Sequence, residues 1–391
     1  MSLQKIIAPI LLAASFGFAY FLSFVDGGRI CAFALAIGVV FGFAMQKSRF
    51  CFYCHIRDYV EDKNPNGVLA LILALAIGLI GYTIVVSSWL PVASPNNRPP
   101  DIHVGPVSEV LFLAGAIFGF GMVLSKSCIS AHWYHLSEGA IASIFALLGV
   151  ALGFFLGFNA WNSLYSLRIA LAPIEWLNAR FGYSIALVLQ LALLGAIAAF
   201  VWKFSIKPAK SAAENQKPIS TFKDLYDRFF AQSWSYAIGG AIIGALGFLI
   251  VIWTKPLGVT ATIASLVRAF GDRFGLIPTR LNGLDGFAGC GSLPQNFWLN
   301  TDATLLLGLI LGSFASAFGA GDFELQKPAL KEIGLNFVGG VLLGFGAMIA
   351  LGCTIGTLLS GIHASALSGW LFALGMILAI VCGLKLKKRF A

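Results

Sequence analysis

The sequence predicts an all-α polytopic membrane protein, built as an inverted-repeat helical bundle with short re-entrant helices. Hydrophobic residues make up 58% of the 391-residue chain and charged residues 11%, against about 25% charged residues in soluble proteins. The mean hydropathy is +0.86, so the chain cannot cover itself with polar groups, and the bilayer is its natural solvent. A Gly-Phe-Gly segment that leads to a cysteine occurs twice, which predicts the repeat.

Ten apolar runs have about the length of a membrane span, for which a helix needs about 20 residues. Several are short and rich in glycine, which predicts half-helices, and two further stretches at 161–178 and 257–270 are predicted to be interfacial or re-entrant. The ten runs are 7–25, 29–45, 68–90, 107–124, 140–158, 183–202, 236–253, 303–320, 335–351 and 369–386.

A basic segment at 203–228 is the clearest linker, since it holds five lysines, one arginine and two prolines. It divides the chain into an N-terminal membrane half at 1–202 and a C-terminal membrane half at 229–391, which is an inverted repeat of the first. Basic residues favour the cytoplasmic side of a membrane, so the linker and the basic C-terminus are predicted to be cytoplasmic. Six spans before the linker then place the N-terminus inside as well.

The net charge of +9 does not indicate nucleic-acid binding. The lysines and arginines stand between the apolar runs, as orientation signals in membrane proteins do. The charge therefore supports the membrane interpretation rather than a nucleic-acid partner.

The internal repeat pairs Gly119-Phe120-Gly121 with Gly344-Phe345-Gly346, and each segment leads without a gap to a cysteine, Cys128 or Cys353. By the span count, the helix before Cys128 runs inward and the helix before Cys353 runs outward. Secondary transporters often consist of inverted repeats that hold their substrate near the midplane, where broken helices meet. We therefore expect this pair of cysteines to lie near the centre of the membrane.

A second candidate is the basic loop that holds Cys51 and Cys54 as a Cys-x-x-Cys. Neighbouring cations favour the thiolate, so a membrane thiol-redox protein is an alternative, although no βαβ pattern accompanies the motif. His55 follows, but no further Cys or His pair has the spacing of a structural zinc site. The sequence thus predicts no metal and no cofactor.

Other polar groups near the cysteines leave two interpretations open. Cys290 lies between two glycines, where the loop either binds an anion through its N–H groups or is a simple turn. His132, His135 and Glu138 follow Cys128 at helical spacing, as an interfacial polar face or a proton site. Because few charges lie inside the spans, thiols, glycine N–H groups and helix N-termini are the predicted lining, which suits a soft, sulfur-bearing anion.

These motifs resemble the YeeE/YedE sulfur-transport family, and their order resembles its thiosulfate-uptake branch. The resemblance covers both halves of the chain. It rests on Arg49-Phe50-Cys51 with Arg57-Asp58, on Gly119-Phe120-Gly121-Met122-Val123-Leu124 leading to Cys128, on Gly344-Phe345-Gly346 leading to Gly352-Cys353-Thr354-Ile355-Gly356, on Ser360-Gly361, and on Ser368-Gly369-Trp370-Leu371-Phe372-Ala373.

The resemblance implies a bacterial inner-membrane importer of thiosulfate or a related inorganic sulfur anion, and not an enzyme. Cys51, Cys128 and Cys353 would form the substrate path and pass the anion along by transient S–H···S hydrogen bonds, without covalent turnover. The expected partners are the sulfur anion, the lipid bilayer and a small cytoplasmic TusA-like sulfur-carrier protein.

Four further residues are possible substrate contacts: Cys290, Lys126, Gly352 and Arg49. Lys126-Ser127 stands where the family often has a glycine pair, so Lys126 either attracts the anion or indicates a different substrate. The alternatives are a transporter of selenium or of another sulfur compound within the same family, the thiol-redox protein that uses Cys51 and Cys54, and a structural subunit of a larger membrane complex.

Overall fold

The computed structural model describes residues 3–95, 97–99, 101–206, 226–287, 289 and 300–390, and this part of the chain consists of helices and the loops that join them. A π-helix, Thr354–Ser360, continued by a short α-helix, Gly361–His363, lies between the last two long helices. The α-helices are α1 (Leu3–Leu22), α2 (Gly28–Ser48), α3 (Phe52–Asp62), α4 (Asn66–Trp89), α5 (Glu109–Ser125), α6 (Ile129–Ser137), α7 (Ala142–Leu164), α8 (Leu177–Phe181), α9 (Tyr183–Lys203), α10 (Tyr236–Leu249), α11 (Ala261–Arg273), α12 (Thr301–Ala320), α13 (Leu330–Ile349) and α14 (Leu367–Phe390).

Nine helical segments of the described chain are long and apolar enough to cross a membrane. A tenth, α10 with the 3₁₀ turn that extends it to Ile252, is slightly shorter and equally apolar. Each of the ten predicted runs coincides with one of these segments, which confirms a multi-pass membrane protein. The stretch predicted to be re-entrant at 257–270 contains the short helix α11.

Four pairs of helices pack in parallel: α2 with α12, α4 with α10, α5 with α14, and α7 with α13. At each contact, glycines let one backbone approach the other, so that a Cβ added to them would collide with a carbonyl oxygen of the partner helix. Small residues four positions apart serve this purpose in membranes, where no hydrophobic effect drives helices together. The glycine pairs are Gly38 and Gly42, Gly115 and Gly119, Gly149 and Gly153, Gly240 and Gly244, Gly308 and Gly312, and Gly340 and Gly344.

The two halves meet at an antiparallel contact between α5 and α13. A Cβ on Gly121 would lie 2.8 Å from the carbonyl oxygen of Gly339, and a Cβ on Gly346 would lie 2.8 Å from that of Ala114. Residue numbers rise along one helix as they fall along the other. Because these are the two helices of the Gly-Phe-Gly repeat, the antiparallel contact confirms that the repeat is inverted.

A two-fold relation accounts for the other contacts. It exchanges α2 with α10, α4 with α12, and α7 with α14, and therefore exchanges the four parallel pairs among themselves. It also relates α1, which packs on α12, to α9, which packs on α4, so each repeat has five long helices. By this relation α9 belongs to the second repeat, whereas the predicted division placed it in the N-terminal half at 1–202. The predicted linker, residues 203–228, is described only at 203–206 and 226–228, so its role as the boundary between the halves stays a prediction.

Four short helical segments begin inside this bundle: α3, α6, α11 and the π-helix. The residues at their starts, Cys51, Cys128, Thr260 and Cys353, are fully buried. Broken helices are tolerated at membrane depth where protein rather than lipid surrounds them. The glycine-packed helices supply that enclosure, which agrees with the predicted re-entrant helices.

The glycine contacts can be tested with Gly42→Val on α2. Its Cβ would collide with the backbone of Leu309 on α12, and neither backbone can yield as a flexible side chain would. We expect a penalty above about 3 kcal/mol, the upper range for overpacking a core, and loss of the monodisperse peak in size-exclusion chromatography.

The matched control is Gly195→Val on α9, where a Cβ meets no atom within 4 Å. This variant should elute like the parent protein and unfold at the same or a slightly higher temperature, because glycine disfavours a helix interior. Equal behaviour of the two variants would contradict the packing role of Gly42.

Candidate functional site

Each of the three predicted path cysteines is the residue that precedes a short helix. Cys51 precedes α3, Cys128 precedes α6, and Cys353 precedes the π-helix. All three have an extended backbone at this position. A helix N-terminus presents unpaired N–H groups and a partial positive charge, which favour a thiolate or a bound anion.

The turn before each cysteine has the same form. Two residues before it, the backbone is left-handed, at Arg49 (φ 49°), Lys126 (φ 60°) and Leu351 (φ 61°). A side chain in this region costs on the order of 1 kcal/mol and persists only where the surroundings impose it. The fold therefore builds one kind of turn three times and places a cysteine at the same point of each.

Two of the three thiols are in contact. The Sγ atoms of Cys51 and Cys128 lie 3.7 Å apart, close enough for an S–H···S hydrogen bond. Serine hydroxyls surround them: Ser130 Oγ is 3.2 Å from the sulfur of Cys128, and Ser127 Oγ is 3.9 Å from that of Cys51. Both cysteines are fully buried, so the pair forms a small polar site from which bulk water is excluded.

We expected Cys128 to meet Cys353 near the centre, but the sulfur in contact with Cys128 is that of Cys51. The reason is the inversion itself. The antiparallel contact of α5 and α13 sends the ends of the two helices, and the cysteines that follow them, to opposite ends of that contact. All three cysteines nevertheless belong to one continuous buried core.

Cys353 has its own polar surroundings. Thr357, four residues later, donates from its hydroxyl to the carbonyl oxygen of Ala350 and lies 3.0 Å from Nε2 of His103. Burial lowers the pKa of His103 to about 4, so its imidazole is neutral at physiological pH. Gly352 is needed here because a Cβ would come within 2.6 Å of the Thr357 hydroxyl.

The position four residues after each cysteine is polar in all three turns. It is His55 after the first, His132 after the second and Thr357 after the third. His132 is buried, its Nδ1 lies 3.2 Å from Ser143 Oγ, and its Nε2 has no hydrogen-bond partner among the described residues. The Nε2 of His55 is likewise unpartnered within that part of the chain. Each turn thus pairs a thiol with a polar group one helical turn away.

His135 and Glu138 lie at the far end of α6. His135 Nδ1 is 2.9 Å from one carboxylate oxygen, and Gln46 donates to the other over 3.2 Å and to Asp322 over 3.3 Å. Burial raises the pKa of Glu138, but the hydrogen bond with His135 and nearby Arg49 outweigh it and hold the pKa below its usual value. Glu138 is therefore ionised at neutral pH, and Gln46 on α2 links it to Asp322, which follows the end of α12.

The other predicted substrate contacts have varied surroundings. The side chain of Arg49 is 64% exposed and forms a long ion pair with Asp322, at 3.9 Å. Lys126 is 53% exposed and pairs with Glu332 at 3.5 Å. Cys290 lies outside the described residues. A role for these three residues in substrate binding stays a prediction.

Sequence reasoning missed His103, Lys255 and Asp302, which lie at the same end of the molecule as Cys353. The ammonium of Lys255 is 2.6 Å from Asp302, and both line a cavity together with His103. None belongs to a motif, so the one available signal was an isolated charged or titratable residue between two apolar runs. Within the described chain, no cluster of His, Cys, Asp and Glu has the form of a metal site.

Comparison with known proteins agrees with this architecture. A family model described as Sulphur transport matches residues 47–382. The chain is 27% identical to the thiosulfate transporter TsuA of Spirochaeta thermophila, over 88% of this chain and 95% of that protein. It is 26% identical to the thiosulfate transporter TsuA of Escherichia coli, over 92% of each. A shorter match, 36% identical over 37% of each chain, is to the probable transporter YedE of Salmonella typhimurium.

These matches confirm the resemblance seen in the motifs and the prediction that the chain is not an enzyme, since the relatives are named as transporters. The family match covers both halves of the fold and all three cysteine turns. With the inverted ten-helix bundle, it shows a multi-pass membrane protein. The chain belongs to the sulphur-transport family.

Proposed function

We propose that this chain imports thiosulfate across the bacterial inner membrane along a path that includes Cys51, Cys128 and Cys353. The observation that carries the proposal is the buried sulfur pair, with 3.7 Å between the Sγ atoms of Cys51 and Cys128, at two helix N-termini. The relatives named as thiosulfate transporters support the choice of substrate.

The chemistry of this site suits a soft anion that must bind weakly and leave again. Thiols are neutral, weak hydrogen-bond donors with polarizable sulfur, and helix N-termini add partial positive charge without a fixed cation. Because the site is buried, each of these weak interactions counts for more than it would in water. The anion moves from one thiol to the next by exchanging S–H···S hydrogen bonds, and no covalent bond to sulfur forms.

The same geometry bears on the alternatives. Relatives named as probable transporters of the YedE type match only part of the chain, so a different sulfur or selenium compound is the second candidate. The Cys51 thiol contacts Cys128 as well as Cys54, and the relatives of this chain are named as transporters. A redox enzyme built on Cys51 and Cys54 is therefore not proposed.

The orientation proposed has both termini in the cytoplasm. It follows from the basic residues at 203–228 and at the C-terminus, together with six spans before the linker. The thiol pair is then nearer the cytoplasm and Cys353 nearer the outside. A TusA-like sulfur carrier would receive the anion at the cytoplasmic face, where Arg49 is exposed beside Asp322.

Replacing single path cysteines tests the function. Cys51→Ala, Cys128→Ala and Cys353→Ala should each lower uptake of labelled thiosulfate by about tenfold or more, as loss of a hydrogen bond to an ion predicts. Growth on thiosulfate as sole sulfur source should fail. Cys382→Ala, which changes an exposed cysteine, is the control, and unchanged uptake in all three path variants would sink the proposal.

The thiol contact itself can be measured in a Cys54→Ser background, which removes the neighbouring thiol. Mild peroxide should remove two hydrogens from the Cys51 and Cys128 thiols and form a disulfide, because the sulfurs are already in contact. Peptide mass spectrometry then finds these two residues cross-linked and Cys353 free. A cross-link between Cys128 and Cys353 instead would refute the arrangement.

Reporter fusions test the orientation. Green fluorescent protein at the C-terminus should fluoresce, since it folds in the cytoplasm, and alkaline phosphatase inserted in the loop at 91–108 should be active outside. Fusions within the linker at 203–228 serve as the cytoplasmic reference. An active phosphatase in the linker would show that the orientation is reversed.

A further inference from the structure

A cavity of about 370 Å³ opens at the end of the molecule where Cys353 lies. Leu351 and Gly356, which flank that cysteine in the chain, form part of its wall, together with His103. The rest of the wall comes mainly from the segment between α10 and α11 and from the start of α12. We call it the Lys255 cavity. It is next to one thiol of the proposed path and opposite the end that holds the thiol pair.

The cavity contains an ion pair whose two side chains differ in exposure. Lys255 follows the end of α10, and Asp302 lies in the first turn of α12. The Lys255 ammonium is 2.6 Å from Asp302 Oδ2. The side chain of Asp302 is only 9% exposed, whereas that of Lys255 is 33% exposed. The carboxylate is therefore fixed in the wall, and the flexible lysine stem leaves the ammonium free to turn toward the cavity.

Binding of an anion in this cavity depends on Lys255, because of the charges in the cavity wall. Among the described residues that line the cavity, Lys255 is the lysine or arginine, while Asp101 and Asp302 are carboxylates. A divalent anion would be repelled by both carboxylates at short range. From the described part of the wall, it gains a charge-assisted hydrogen bond by taking the ammonium away from Asp302.

We propose that Lys255 receives the sulfur anion at this mouth and that Asp302 competes with the anion for the same ammonium. This proposal deepens the proposed function and rests on it. When the anion enters, Lys255 turns from Asp302 to the anion. When the anion moves on to Cys353, Asp302 takes the ammonium back, so the anion is released rather than trapped. The carboxylate thus lowers the affinity and favours onward transfer.

The ion pair at the opposite end of α12 differs. Arg49 and Asp322 are 3.9 Å apart and both well exposed, so water and salt screen their interaction. The Lys255–Asp302 pair is shorter and largely enclosed. Competition for a cation is therefore strong at the Lys255 cavity and weak at the other end.

Uptake of radiolabelled thiosulfate at several concentrations, in cells that lack their own thiosulfate transport, tests the proposal. Lys255→Gln should raise KM by about tenfold or more, the effect of losing one charge-assisted hydrogen bond, and Lys255→Arg should restore most of the affinity. Asp302→Asn, which keeps the shape of the side chain, should lower KM by about three- to tenfold. In the double variant, the effect of Asp302→Asn should vanish, because the ammonium is absent.

The controls are Arg168→Gln and Glu109→Gln, which break an exposed ion pair of similar length, 3.2 Å, away from the cavity. Both should leave KM unchanged, and all variants should elute as the parent protein does. If the parent protein takes up no thiosulfate, the proposed function fails. If it does, and Lys255→Gln leaves KM within twofold or Asp302→Asn raises KM, the competition is overturned while the function stands.

Discussion

The fold depends on one constraint: inside a bilayer, every backbone N–H and C=O needs a partner within the protein. An unbroken helix satisfies this constraint most simply. Three breaks interrupt the helices here, and each has a cysteine at the start of a short helix. They persist because four parallel helix pairs and one antiparallel pair, brought together by glycines, enclose them. The same enclosure removes water from the thiols, so helix packing and the chemistry of the site have a single cause.

The two ends of the molecule carry different polar side chains. One holds a pair of thiols in contact, with serine hydroxyls around them. The other holds a single thiol, a neutral histidine and a lysine already bound to a carboxylate. Among the described residues, the enclosed lysines of both ends already have a partner: Lys255 pairs with Asp302, and Lys47 donates to the carbonyl oxygen of Phe230. A transport path requires this balance, because a site that binds its substrate tightly also slows its release.

Much of this could be predicted from the sequence, since apolar runs, the Gly-Phe-Gly repeat and basic segments are local patterns. The ten long helices and the inversion followed from them, whereas the common turn before the three cysteines did not. The contact of Cys51 with Cys128 could not be predicted, because two segments 77 residues apart meet only through the packing of α2 and α6. Lys255 and Asp302 were missed for a similar reason: 47 residues separate them, and no motif marks either.

The repeated turn has a consequence for the ancestry of the fold. A long helix, a short helix begun inside the protein and a second long helix occur four times: α2 to α4, α5 to α7, α10 to α12, and α13 to α14 with the π-helix between them. The protein thus consists of four modules with the same order of helices, and α1 and α9 are additional helices. The third module has Thr260 where the others have cysteine. Its turn also differs, because Thr260 has a helical backbone (φ −105°, ψ −15°) and the residue two positions before it is not left-handed. The chemistry and the turn of one module can therefore differ while the glycine contacts of all four stay intact.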